Sequence, residues 1–130
     1  MGKKYTVLIV DDDKFLLGMY RKKFESAGMV VDVAVGAQEA LVKLRDNAKL
    51  DILLLDIIMP TMDGLELLKT IRDEKLVPPA AVIMLTNESD SDRIEQARAL
   101  GIKGYLVKAS YSPSEIVEEV LKVAKLNSNS

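Results

Sequence analysis

The sequence predicts an α/β domain in which a doubly wound, five-stranded parallel sheet is flanked by five helices. Three observations lead there. Short runs rich in β-branched residues alternate with amphipathic stretches from one end of the chain to the other. The strand-like runs are apolar at successive positions rather than at every second one, which suits strands covered by helices on both faces. Two of them stop abruptly at an acid, Val10 at Asp11 and Leu55 at Asp56.

The first strand is read over residues 5–10 and the first helix over 14–27, where Leu16, Met19, Tyr20 and Phe24 recur every three or four positions and Gly28 is placed to end the turn. Residues 30–35 read as a second strand, and 37–48 as a helix with Ala40, Leu41 and Leu44 on one face. The run 52–55 is the most continuously apolar and is expected at the centre of the sheet. Asp63 and Glu66 stand three apart ahead of Leu67, Leu68 and Ile71, the pattern of a capping box opening the third helix. Pro78 and Pro79 interrupt the chain before a fourth strand at 81–85, a fourth helix at 90–100 and a short fifth strand at 105–107. Ser112, Pro113 and Glu115 supply the cap, first turn and third position of the last helix, whose stripe is Ile116, Val117, Val120, Leu121 and Ala124. One domain is expected over residues 1–126, with 127–130 as a polar tail.

Composition narrows the chemistry. The 130 residues suffice for one core, and 48% hydrophobic with 29% charged residues is the balance of a globular chain. The chain has no cysteine and no histidine, which removes disulfides, thiolate sites and imidazole catalysis and leaves carboxylates, hydroxyls, lysines and backbone. A net charge of −2 with interleaved signs argues against direct nucleic-acid binding. No apolar run approaches the roughly 20 residues that a membrane helix needs. The Met1-Gly2 start formally fits a myristoylation pattern, but Thr6 is claimed by the first strand; a cytoplasmic location is the expectation.

In a sheet of this kind the functional crevice lies beyond the carboxyl ends of the strands. The residues there are Asp11, Asp12, Asp56, Thr86 and Lys108. Two carboxylates about 5 Å apart repel by roughly 3 kcal/mol at an effective dielectric near 20, so a convergence of three demands positive charge. Lys108 provides one. Hard oxygen ligands without His or Cys also point to a divalent ion such as Mg²⁺, which keeps waters and accepts phosphate oxygens. Asp11, Asp12 and Asp13 also have a plain structural use, as caps at the positive end of the first helix, and Asp13 is read that way alone.

The blocks Val7-Leu8-Ile9-Val10-Asp11-Asp12-Asp13, Leu55-Asp56-Ile57-Ile58-Met59-Pro60, Asp63-Gly64, Leu85-Thr86 and Gly104-Tyr105-Leu106-Val107-Lys108, in this order and spacing, resemble the motifs of bacterial two-component response-regulator receiver domains. The resemblance runs essentially end to end and implies a flavodoxin-like strand order of 2-1-3-4-5. It implies that Asp56 is the phosphoacceptor, taking a phosphoryl group from a phosphohistidine on a sensor histidine kinase or a histidine phosphotransfer protein. Asp12 and Asp56 would ligate Mg²⁺ directly, Asp11 through water, and Ile58 through its backbone carbonyl. Thr86 and Lys108 would meet phosphoryl oxygens, and Thr86 with Tyr105 would form a switch that reshapes the surface of the fourth helix, fifth strand and fifth helix for a downstream effector protein or output domain.

Several positions depart from the family pattern. Ala109 stands where Pro is expected after the lysine, so a cis peptide there would cost about 3 kcal/mol, and Lys108 either pays it or reaches the site from a trans loop. Ile58, Asn87 and Glu88 are bulky enough to hinder attacking water, implying a long-lived phosphorylated state. Gly104 replaces an acid found in branches that dimerise through the last two helices, so a monomer or weak dimer is expected. Two rival readings stand beside this one: a dehalogenase-like Mg²⁺ phosphatase using Asp11 and Asp13, which would lack the later acidic pair and leave Asp56 unexplained, and a degenerate receiver that only docks, which would be expected to have lost its acceptor or lysine.

Overall fold

The computed structural model describes residues 4–46, 49–87 and 89–128. The elements follow in the order β1 (Thr6–Asp11), α1 (Lys14–Ser26), β2 (Val30–Val35), α2 (Ala37–Arg45), β3 (Ile52–Leu55), α3 (Gly64–Asp73), β4 (Ala81–Thr86), α4 (Ser91–Ala99), β5 (Gly104–Val107), a 3-10 turn (Lys108–Ser110) and α5 (Pro113–Ser128). All strand pairings are parallel and the order is β2-β1-β3-β4-β5. The chain steps outward from β1 to β2, returns across β1 to β3, and then proceeds to the other edge. The reversal opens a crevice at the carboxyl ends of β1 and β3.

β3 is buried along its whole length, as its continuous apolar run requires of a central strand. Its side chains divide between two cores. Ile52 and Leu54 join Val7, Ile9, Ile83 and Leu85 beneath α1 and α5, with Phe24 and Ile116 fully enclosed. Leu53 and Leu55 join Leu8, Val10, Val82 and Met84 on the opposite face beneath α2, α3 and α4. Packing from both sides fixes the height of each strand end, and thereby of the polar residues that follow it.

The caps read from sequence are present. Asp63 Oδ1 accepts from the Glu66 amide at 3.0 Å while the Glu66 carboxylate accepts from the Asp63 amide at 3.4 Å. Ser112 and Glu115 repeat the arrangement at the start of α5, at 3.2 and 2.8 Å. Asp13 caps α1, its carboxylate accepting from the Phe15 and Leu16 amides.

Several boundaries differ from expectation. The helix expected over 37–48 ends at Arg45 with Asp46 as its cap; Ala48 lies outside the described residues, as do Met1, Gly2 and Glu88. The polar tail expected from residue 127 is instead helical through Ser128, and the Asn127 side-chain amide donates to the Pro79 carbonyl at 3.0 Å. On α1 the buried row is Leu17, Tyr20 and Phe24, with Leu16 and Met19 only partly covered. α4 buries only Ala97 fully, which makes it the least anchored of the helices. Among the described residues no helix is long and apolar enough to cross a membrane.

Candidate phosphoacceptor site

The strand ends along this edge each deliver polar groups to the crevice. Asp11 is the last residue of β1 and is 2% exposed; its Oδ1 accepts from the Asp13 amide at 3.0 Å, a turn that aims the carboxylate across the sheet edge and leaves Asp12 exposed beside it. Asp56 follows β3 directly and is 5% exposed. Its amide donates to the Val10 carbonyl at 3.1 Å, extending the β1–β3 ladder by one bond, and its Oδ1 accepts from the Ile58 amide at 3.1 Å. Thr86 ends β4 and is fully buried.

Lys108 opens the 3-10 turn after β5 and spans the crevice. Its Nζ lies 2.6 Å from Asp11 Oδ2 and 2.8 Å from Asp56 Oδ2, both partly shielded from solvent. Burial alone would pull the ammonium toward its neutral form, but the two carboxylates outweigh burial and hold its pKa above the ordinary lysine value. For Asp11 the balance falls the other way: burial is the largest influence and raises its pKa despite the bonds from Lys108 and the Asp13 amide.

Asp11, Asp12 and Asp56 each offer a carboxylate oxygen within 4.8 Å of the others. These three acids face one ammonium, so the cluster carries more carboxylates than its lysine neutralises, an arrangement that favours a further cation. An all-oxygen donor set with an exposed flank at Asp12 fits a hard divalent ion that keeps part of its water shell. A shallow groove lined by Asp12, Gly36, Gln38, Pro60, Thr61 and Met62 adjoins that flank.

Sequence reading placed Asp11, Asp12, Asp56, Thr86 and Lys108 at neighbouring strand ends, and the fold brings them to one edge. Among the described residues no peptide is cis, so of the two geometries weighed for Lys108–Ala109 the chain adopts the trans loop. Tyr105 lies on β5 opposite Met84, partly buried against the core beneath α2, α3 and α4. Ile58 turns its side chain to solvent, 54% exposed. Asp13 is engaged in capping, as expected.

Three residues stand in relationships that the sequence reading did not predict. Tyr20, read only as a core residue, has a hydroxyl whose pKa burial raises, and it stands close enough to feel the charges of Lys108, Asp11 and Asp56. Arg93 on α4 pairs with Asp63 at 2.7 Å, tying the helix to the loop after Asp56. Asn87 accepts from the Ala109 amide at 3.0 Å. Of the three, the sequence singled out Tyr20 for the apolar stripe of the first helix and Asn87 for its bulk beside an attacking water, and gave no sign of Arg93.

A parallel sheet that gathers carboxylates, a hydroxyl and a lysine at its carboxyl edge defines a phosphoacceptor module of the receiver class. The chain belongs to the response regulator receiver domain family, whose sequence model matches residues 7–121. It is a receiver domain of two-component signalling, a phosphoacceptor domain rather than a classical enzyme, and the phosphatase reading falls with that assignment.

Over 126 residues it is 36% identical to the chemotaxis protein CheY of Thermotoga maritima, covering 96% of this chain and 100% of that protein. Over 114 residues it is 34% identical to the transcriptional regulatory protein ResD of Bacillus subtilis, covering 88% of this chain and 45% of ResD. The chain spans about half the length of such transcriptional regulators. Among solved structures, the CheY-like receiver domain protein of Methanospirillum hungatei superposes with a TM-score of 0.88 at 27% identity, covering 98% of both chains. The chemotaxis protein CheY4 of Vibrio cholerae gives 0.83 at 30% identity, covering 93% of this chain and 99% of that one.

Proposed function

We propose that Asp56 is the phosphoacceptor and that this chain is a cytoplasmic signalling switch, charged by a phosphohistidine that its own sequence cannot supply. The observation that carries the reading is the bond from Lys108 to Asp56: the lysine is already seated on the carboxylate that would attack phosphorus. The donor is a sensor histidine kinase or a histidine phosphotransfer protein.

Asp56 and Asp12 would hold Mg²⁺ directly, with Asp11 acting through water and the Ile58 carbonyl completing the protein's share. Bound there, the ion would supply charge neutralisation for the acids and for the phosphoryl oxygens. An Asp56 oxygen attacks phosphorus, the bond to the donor's imidazole nitrogen breaks, and the product is an aspartyl phosphate. Lys108 and the Thr86 hydroxyl stabilise charge spread over the transferring oxygens, so positioning and electrostatics do most of the catalysis. Transfer of Lys108 toward the phosphoryl group and inward movement of Thr86 and Tyr105 would then reshape the surface formed by α4, β5 and α5. The sparse burial of α4 supports its part in such a change. The occupant of that surface is a downstream effector protein or output domain.

A docking-only role would leave no use for an intact acceptor paired with an intact lysine. Incubation with Mg²⁺ and a small acyl phosphate, followed by intact mass and peptide mapping, tests the assignment. Wild type should gain one phosphoryl group and Asp56→Ala none; a variant modified to the same stoichiometry as wild type defeats it.

A further inference from the structure

β4 and β5 carry Thr86 and Lys108, and their main-chain ladder ends at the pair Thr86 and Val107. Beyond it the two loops are joined by a side chain: Oδ1 of Asn87 accepts from the amide N–H of Ala109 at 3.0 Å. The bond closes a gap of 22 residues in sequence, and its two ends are the immediate successors of Thr86 and Lys108.

The local backbone explains why a partner is needed there. Residues Lys108–Ser110 form a 3-10 turn, and the first N–H groups of any helical turn have no acceptor within it. No side chain caps this turn from its own N-terminal flank at Val107. The Ala109 N–H is one of these orphans, and Asn87 supplies its acceptor from the neighbouring strand. A proline at 109 would have no N–H to give and the Asn87 side chain would have nothing to hold, so the two departures from the family pattern act as one unit.

The consequence falls on Lys108. It is the single residue between the last ladder position, Val107, and the anchored amide, and its peptide to Ala109 is trans. With the backbone held on both sides, its chain crosses to Asp11 and Asp56. We infer that Asn87 is a positioning residue for Lys108, holding the trans Lys108–Ala109 loop against the end of β4 so that the ammonium meets Asp56. The inference rests on the reading of Asp56 as the phosphoacceptor. Asn87 and Ala109 are both exposed, so without the bond water replaces it and the loop gains freedom at the expense of the lysine's alignment.

The test combines two readouts on the full chain: hydrogen exchange of the Ala109 amide, and the rate of Asp56 phosphorylation by a small acyl phosphate at saturating Mg²⁺. Asn87→Ala should lose protection at Ala109 and slow phosphorylation by about fivefold, with thermal midpoint and Mg²⁺ affinity unchanged. Asn87→Asp retains an acceptor oxygen and should restore the protection. In an Ala109→Pro background, which lacks the donor, Asn87→Ala should produce no further slowing. Wild-type protection at Ala109 in Asn87→Ala, or the same slowing in both backgrounds, overturns the inference. If Ala109→Pro does not fold, the Asn87→Ala and Asn87→Asp pair decides: the phosphorylation rate must fall and recover together with protection at Ala109, and a rate that does not follow the protection overturns the inference. Failure of the Asp56 reading shows differently, as wild-type protein phosphorylated elsewhere or not at all.

Discussion

The Nζ of Lys108 and Oδ2 of Asp56 lie 2.8 Å apart, while the other oxygen of the same carboxylate accepts from the Ile58 amide. Asp56 is thus held at both oxygens before any phosphoryl group arrives, and Lys108 occupies space in the same acid cluster that would hold a metal ion.

On the proposed reading, a metal ion bound among these acids would oppose Lys108 in the resting site and cooperate with it during transfer. Lys108→Met removes a positive charge beside the acids and should tighten Mg²⁺ binding by about tenfold, or about 1.4 kcal/mol. The same variant should slow phosphorylation by about a hundredfold, because charge on the phosphoryl oxygens loses its fixed partner. Titration calorimetry and single-turnover labelling would show the two effects moving in opposite directions; a parallel loss of both would contradict this account.

Gly64 opens α3 where its backbone approaches that of Asp56. A Cβ added there would overlap the Asp56 carbonyl oxygen and stand 2.8 Å from the Ile57 Cα. The Gly64 amide also donates to the Ile57 carbonyl at 2.8 Å, so the helix start cannot simply retreat. Gly64→Ala should cost about 2 to 3 kcal/mol, as overpacking against backbone does, and should slow phosphorylation by displacing Asp56. Urea unfolding alongside the labelling rate would measure both.

Asp63 provides a pH-dependent test of the tie between α4 and the site loop. Burial alone would raise its pKa, but Arg93 and the Glu66 amide outweigh burial and hold it below the ordinary aspartate value. A carboxyl depressed in the folded state binds protons more readily when unfolded, so its stabilisation is complete above about pH 4 and is lost as pH falls through the folded-state value. Asp63→Asn keeps a capping side chain and removes the ion pair, and should cost about 1 kcal/mol near neutrality. The difference from wild type should close on acidification, as followed by thermal unfolding; a gap that widened with acid would exclude the pair as its source.

Asp13 separates capping from chemistry. Asp13→Ala should destabilise the fold by about 1 kcal/mol through loss of two amide partners and leave Asp56 labelling unchanged, whereas Asp13→Ser should recover most of the stability. Loss of labelling in a folded Asp13→Ala protein would place that carboxylate in the reaction.

Much of this was legible because its causes are local. The capping boxes at Asp63 and Ser112 need only residues three apart, and the burial of β3 follows from four consecutive apolar residues. The acid cluster was legible because a parallel sheet places every strand's carboxyl end on one edge, so Asp11, Asp56, Thr86 and Lys108 converge once the strands are assigned. What escaped depends on side chains meeting across elements. Arg93 reaches Asp63 over 30 residues and Asn127 reaches Pro79 over 48, and no periodicity records either. The 3-10 turn at Lys108 was hidden for a related reason: its stabilising acceptor belongs to another strand.

All the groups assigned to phosphoryl transfer come from one edge of the sheet, and the turns at the opposite edge, around residues 27–29, 74–80 and 100–103, contribute none. Among the described residues the molecule is in this sense two-ended, with the groups assigned to chemistry at one pole and connecting turns at the other. A fluorophore or affinity handle grafted at Lys75, on the far pole, would travel with the protein through a full cycle of charging and discharge without entering the neighbourhood of Asp56.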